Sequence, residues 1–265
     1  MKLYNIIYPI CIVALAIGVC FSSCKRGGEP TYGKPLEKTE LVKGIAIANE
    51  QCPLDLEGIG TMESVELSGD TVIYNFTLDD EFDANANDEA MHDRMINSAL
   101  ANERKSLEMF NDNGISLRYV FTTPSDKRII VIITKDEIEE ALSRNVSSSE
   151  AAEEVLLSEL ASTKSTLPVN MGSGMTMTDV IMNDKNLIYV CTVDESLYSL
   201  SEEDFDRSAA KSAIKKELAS PNITEQAMIR NLVNTNRNVV YRYVGNKSGK
   251  NIEVVISHNE LRDFL

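Results

Sequence analysis

The chain repeats itself once. Pro53-Leu54-Asp55-Leu56 is followed 115 residues later by Pro168-Val169-Asn170-Met171, and the register holds without a gap when residues 41–80 are laid on residues 156–195. Thr61-Met62 then meets Thr176-Met177, Val65 meets Val180, and Ile73-Tyr74 meets Ile188-Tyr189. Thr77 and Asp79 meet Thr192 and Asp194. A period this long exceeds the ~20 to 50 residues of a stacked repeat, so the pattern describes a domain present twice. Each copy must bury its own core. A chain of 265 residues with 43% hydrophobic residues has room and apolar surface for two domains of ~100 to 150 residues.

The periodicities switch in the same order in both copies. Leu41, Val42, Ile45 and Ala48 mark an opening amphipathic helix in the first copy. In the second, Leu157, Leu160 and Ala161 do so after the capping-box pattern Ser147-Ser148-Ser149-Glu150. Pro53 and Pro168 end these helices. A β-hairpin with one apolar face follows: Val65 and Leu67 turn through Ser68-Gly69-Asp70 into Val72, Tyr74, Phe76 and Leu78. The second copy repeats it through Asn183-Asp184-Lys185 into Leu187, Tyr189, Cys191 and Val193.

A helical stretch comes next, carried by Met91, Met95, Ile96, Ala99, Leu107 and Phe110 in one copy and by Phe205, Ala209, Ala213, Ile214 and Leu218 in the other. Ser220-Pro221 divides the second of these stretches into two helices. Two more strands and a short helix close each copy, Leu117-Tyr119-Phe121 with 129–133, and Val239-Tyr241-Tyr243 with Ile252-Val254-Ile256. The expected fold class is α+β: tandem duplicated two-layer domains in the order α-β-β-α-β-β-α, each an antiparallel sheet of about four strands with helices on one face. The outline is similar to that of bacterial inhibitor proteins of the β-lactamase-inhibitor kind, a likeness without a shared motif.

Ahead of the repeats, Lys2 precedes an apolar run over residues 6–21, shorter than the ~20 residues that span a bilayer, which reads as an export signal. Its end, Phe21-Ser22-Ser23-Cys24, resembles a bacterial lipobox, in which a cysteine after small residues becomes the acylated first residue of the mature protein. Phe21 stands where Leu is usual, and Cys20 follows the bulky Val19. The resemblance implies a lipoprotein with Cys24 as the site of lipidation, palmitate included, and a membrane as its first partner. Residues 25–38 are rich in Gly, Pro and charge and lack an apolar period, as a tether would be. The expected organisation is a signal peptide over 1–23, a tether over 24–38, a first repeat over 39–145 and a second over 146–265.

Charge and chemistry narrow the function classes. The formal net charge is −15, and no basic patch stands out, so nucleic acid is excluded as a partner because its binding depends on Lys and Arg displacing counterions. Only two histidines occur, His92 and His258, with no metal-ligand spacing between them, and no Gly-x-Ser-x-Gly is present. Cys52 and Cys191 stand where the other copy has Leu167 and Phe76, as small buried hydrophobes would. Asp83, Asn85 and Asn87 alternate like the start of a calcium loop, but Asp88 replaces its Gly and Arg94 its closing Glu, so a helix cap explains them as well.

The expected function is therefore non-catalytic: a lipid-anchored envelope protein, on the periplasmic side, that binds a protein or envelope component through its sheet faces or the groove between its copies, without a cofactor. A small-ligand or cation sensor is the alternative, and an enzyme the second alternative.

Overall fold

The structure, a computed structural model, describes residues 38–56, 60–79, 88–201, 203, 205–221 and 223–265. The chain divides into two compact units between Ala152 and Glu153. The first contains α1 (Lys38–Glu50), β1 (Leu54–Asp55), β2 (Gly60–Ser68), β3 (Thr71–Leu78), α2 (Asp88–Asn102), α3 (Arg104–Asp112), β4 (Ser116–Thr122), β5 (Arg128–Ile133) and α4 (Lys135–Ser143). The second follows the same order with α5 (Ser148–Thr166), β6 (Val169–Gly172), β7 (Met175–Met182), β8 (Asn186–Val193), α6 (Arg207–Leu218), α7 (Ile223–Asn234), β9 (Asn238–Gly245), β10 (Asn251–Ile256) and α8 (His258–Leu261). The molecule is α+β with tandem duplicated sheet-and-helix units, as the repeat requires.

Each unit holds a five-stranded sheet in sequential order, β1 to β5 and β6 to β10. Two features differ from the expected four antiparallel strands. The residues after each proline add a short edge strand, β1 or β6, and the central pairs β3·β4 and β8·β9 are parallel. The parallel pairing follows from the connection, because two helices between β3 and β4 return the chain to the end of the sheet at which β3 began. The helical stretch of the first copy is also interrupted, at Glu103 (φ −135°, ψ 32°), so both copies cross over with two helices.

The duplication extends into backbone detail. The β2·β3 ladder shifts register between Met62 and Ser64, and the β7·β8 ladder shifts at the corresponding Met177 and Asp179. The second crossover helix ends in a left-handed residue in both units, Gly114 at φ 64° and Asn236 at φ 54°. The next amide then donates back into the helix, from Ile115 to the Phe110 carbonyl and from Arg237 to the Leu232 carbonyl, both at 2.9 Å. Capping boxes at Thr134/Glu137 and Ser257/Glu260 start α4 and α8.

In the first unit the inward residues of β3, β4 and β5 are fully or almost fully buried, among them Tyr74, Phe76, Tyr119 and Phe121. Leu41, Ile45, Met95, Ala99, Leu107, Phe110 and Ile138 bury their helices. Each such large side chain contributes about 1.5–3 kcal/mol relative to exposure. The second unit buries Tyr189, Cys191, Tyr241, Val254 and Ile256 in one cluster with Leu156, Ile229 and Leu232.

That unit also carries ionic ties. Glu260, which caps α8, accepts from Lys211 and Lys215 of α6, both at 2.8 Å. Those two ammonium groups and the Ser257 amide hold its carboxyl far below the usual range. A carboxyl pKa depressed by folding stabilises the native state above the unfolded value of about 4.3, and the gain is lost as pH falls through the native value. Glu260→Ala is therefore expected to cost about 1–2 kcal/mol at neutral pH through loss of the cap and both pairs. The difference from the parent should begin to shrink as pH falls below about 4.3, where the unfolded carboxyl takes up its proton, as urea unfolding across pH will measure.

Candidate functional site

Alternation along β3, β4 and β5 turns one set of residues to the core and the other to the opposite face of the first sheet. Pairing aligns the outward set in rows. One row runs Glu66, Ile73, Arg118, Ile132, and the next runs Ser64, Asn75, Val120, Ile130. Ile130 is 38% exposed and Ile132 49%, whereas their inward neighbours Ile129, Val131 and Ile133 are all buried. Ile73 and Val120 are half-buried, so four apolar side chains form a stripe on the outward face. Arg118 lies between Ile73 and Ile132 in its row. Its Nε is buried and has no hydrogen-bond partner among the described residues.

The second sheet treats one of these rows differently. Where the first has Val120 opposite Ile130, the second has Arg242 opposite Glu253, joined through Nε and Oε1 at 2.7 Å. An exposed ion pair of this kind contributes little to stability, but it satisfies the surface and leaves no apolar contact there. The other row stays apolar in the second sheet as Ile188, Val240 and Val255, so the outward faces diverge at the ion pair and at Arg118, which Val240 replaces.

At the far end of the second sheet, Glu195 closes the β9–β10 turn. Its carboxylate accepts from the Lys247 and Ser248 amides, both at 2.7 Å, and from the Ser248 hydroxyl at 2.6 Å. These hydrogen bonds hold its carboxyl below the usual range. Gly245 makes room for it, because a Cβ there would stand 2.5 Å from the carboxylate carbon. Asp194 accepts from the Ser196 amide and hydroxyl, at 2.9 and 2.7 Å. These acids are structural ties at a strand end.

The candidate residues from the sequence fall as follows. Cys24, Asp83, Asn85 and Asn87 lie outside the described residues. Cys52 and Cys191 are free thiols; burial pushes Cys191 up to about 11, and burial first, then Glu63, raises Cys52. The structure brings His92 between two carboxylates, Asp93 and Glu137, each at 3.2 Å, a setting not evident from sequence. No group of three or more His, Cys, Asp or Glu among the described residues is arranged to hold a metal ion. No described helix is long and apolar enough to cross a membrane.

The sheet scaffold with one apolar, arginine-bearing face is as far as fold and site define a class. No family model, curated protein or solved structure matches the chain.

Proposed function

We propose that this protein is a non-catalytic lipoprotein of the bacterial envelope, held to the membrane through acylated Cys24 on the periplasmic side, that binds another protein through the outward face of its first sheet. The Phe21-Ser22-Ser23-Cys24 segment supports the anchor. The observation that carries the binding reading is the stripe of Ile73, Val120, Ile130 and Ile132 around Arg118, at positions partly occupied by an ion pair in the other copy. Arginine set among apolar side chains is a common energetic centre of protein interfaces, since a partner carboxylate can pair with it out of water. The partner is therefore a protein surface presenting a carboxylate between apolar side chains.

Two measurements test this reading. Changing Cys24 to Ala should move the protein from the membrane to the soluble fraction, and membrane retention of that variant would reject the anchor. A photoreactive side chain at position 132 should give a discrete crosslinked species in intact cells, whereas the same group at the corresponding position 255 should not. Arg118→Glu should abolish that species. Equal crosslinking from both positions would reject the face.

A further inference from the structure

The two units also differ at the long open edge of their sheets, which is β5 in the first and β10 in the second. The Thr123 amide donates to the Lys127 carbonyl at 2.9 Å, which makes these two a hydrogen-bonded pair at the mouth of the β4·β5 ladder. Bonded and non-bonded pairs alternate along an antiparallel ladder, so Ile129, Val131 and Ile133 bond to β4. Arg128, Ile130 and Ile132 therefore turn their amides and carbonyls to the open side, where no backbone partner meets them among the described residues. The Gly245 amide donates to the Lys250 carbonyl in the same way, which turns Asn251, Glu253 and Val255 to the edge of β10.

An open edge is a template for a further strand, and a charged side chain along it is a common block. β10 carries such a charge in Glu253, whereas β5 has Ile130 at that place and only isoleucine and valine from 129 to 133. The flanks of β5 are charged and opposite in sign. The strand is entered through the exposed Lys127 and Arg128 and left through the exposed Asp136, Glu139 and Glu140 and the half-buried Glu137, with Asp126 and Lys135 the one contrary charge at each end. An antiparallel second copy sets each basic entry beside the other's acidic exit, which a parallel one would not do.

We infer that β5 pairs with β5 of a second copy of this chain, antiparallel about a two-fold axis at Val131, joining their first sheets into one continuous sheet. Side chains of the same face must meet across the axis, and centring on Val131 sets Ile130 opposite Ile132 of the second copy. Centring on Ile130 would instead set Arg128 against Ile132, one strand from Arg118 of that copy. With the axis at Val131 the row Ile73, Arg118, Ile132 runs on into Ile130 and Val120 of the second copy. The inference does not rest on the binding of another protein through the outward face, which the pairing leaves open.

Disulfide trapping in intact cells tests the inference. Two differently tagged full-length chains are expressed together, one carrying Ile130→Cys and the other Ile132→Cys, and exposed to a mild oxidant. Opposed residues of a hydrogen-bonded pair stand about 5.5 Å apart at Cα, within reach of a disulfide, so a mixed dimer bearing both tags should form. The corresponding pair on β10, Glu253→Cys with Val255→Cys, should give at least tenfold less. Adding Lys127→Glu/Arg128→Glu to both chains should lower the trapped dimer at least tenfold, because acid then faces acid. Adding Arg118→Glu should leave it unchanged, which separates this pairing from the binding of another protein. No mixed dimer above the β10 pair, an unchanged yield after the charge reversal, or capture of a different protein in its place would each overturn it.

Discussion

Arg237→Ala should destabilise the protein by about 2–4 kcal/mol, a large fraction of the 5–15 kcal/mol that holds an ordinary domain folded. Arg237 is a buried charged residue in the second unit. Its guanidinium pairs with both carboxylate oxygens of Glu153 on α5, and its Nε donates to the Asn183 carbonyl at 2.9 Å. One side chain therefore joins the start of α5, the β7–β8 turn and the exit of α7. Truncation removes all three ties and leaves a cavity. The expected loss lies toward the lower end of that for a buried pair, because the Glu153 side chain is 36% exposed and can rehydrate. The first unit supplies the control. Ile115 occupies the equivalent backbone position there and is fully buried, so Arg237→Ile should restore packing and cost no more than about 1 kcal/mol. Urea midpoints of the two variants measure the difference, and equal losses would show that pairing, not packing, is what Arg237 provides.

The sequence carried the duplication, the hairpins and the opening helices because each leaves a local signature in side-chain type. Period-two alternation in Val72, Tyr74, Phe76 and Leu78 specifies a strand with one buried face, and that is how β3 lies. The same alternation has no direction, so nothing in Leu117, Tyr119 and Phe121 says that β4 runs parallel to β3. β1 spans only Leu54–Asp55, too short for any period to register. The break at Glu103 is likewise silent, since apolar residues continue past it without a proline or glycine. Arg237 was hidden for another reason. Between β8 and β9 the chain is seven residues longer than between β3 and β4, so the gapless register ends before it and Arg237 cannot be matched to Ile115 by eye. The matching of Leu232 to Phe110 is lost at the same insertion. The outward face was only half legible, because residues 129–133 read as a continuous apolar run in which core-facing and outward isoleucines look alike.

The parallel strand pair at the centre of each sheet sets up the last prediction. Register places Tyr74 beside Tyr119 and Phe76 beside Phe121, and the rings stack across the strands at 5.0 and 5.1 Å. Tyr119 is fully buried within this four-ring layer. Tyr119→Ala is therefore expected to cost about 3–5 kcal/mol, from lost transfer energy, the cavity left behind and the broken stacking. Tyr241 holds the corresponding place in the second unit, but it borders a cavity of about 70 Å³ lined also by Ile214, Met228 and Leu232, and it stacks on Tyr189 at 27°. A ring that faces empty volume on one side has fewer dispersion contacts to lose. Tyr241→Ala should accordingly cost at least 1 kcal/mol less than Tyr119→Ala, of the order of the difference a neighbouring void makes to a core truncation. Denaturant unfolding of the two variants under one set of conditions decides it, and a larger loss at Tyr241 would mean that its cavity is closed by tight packing.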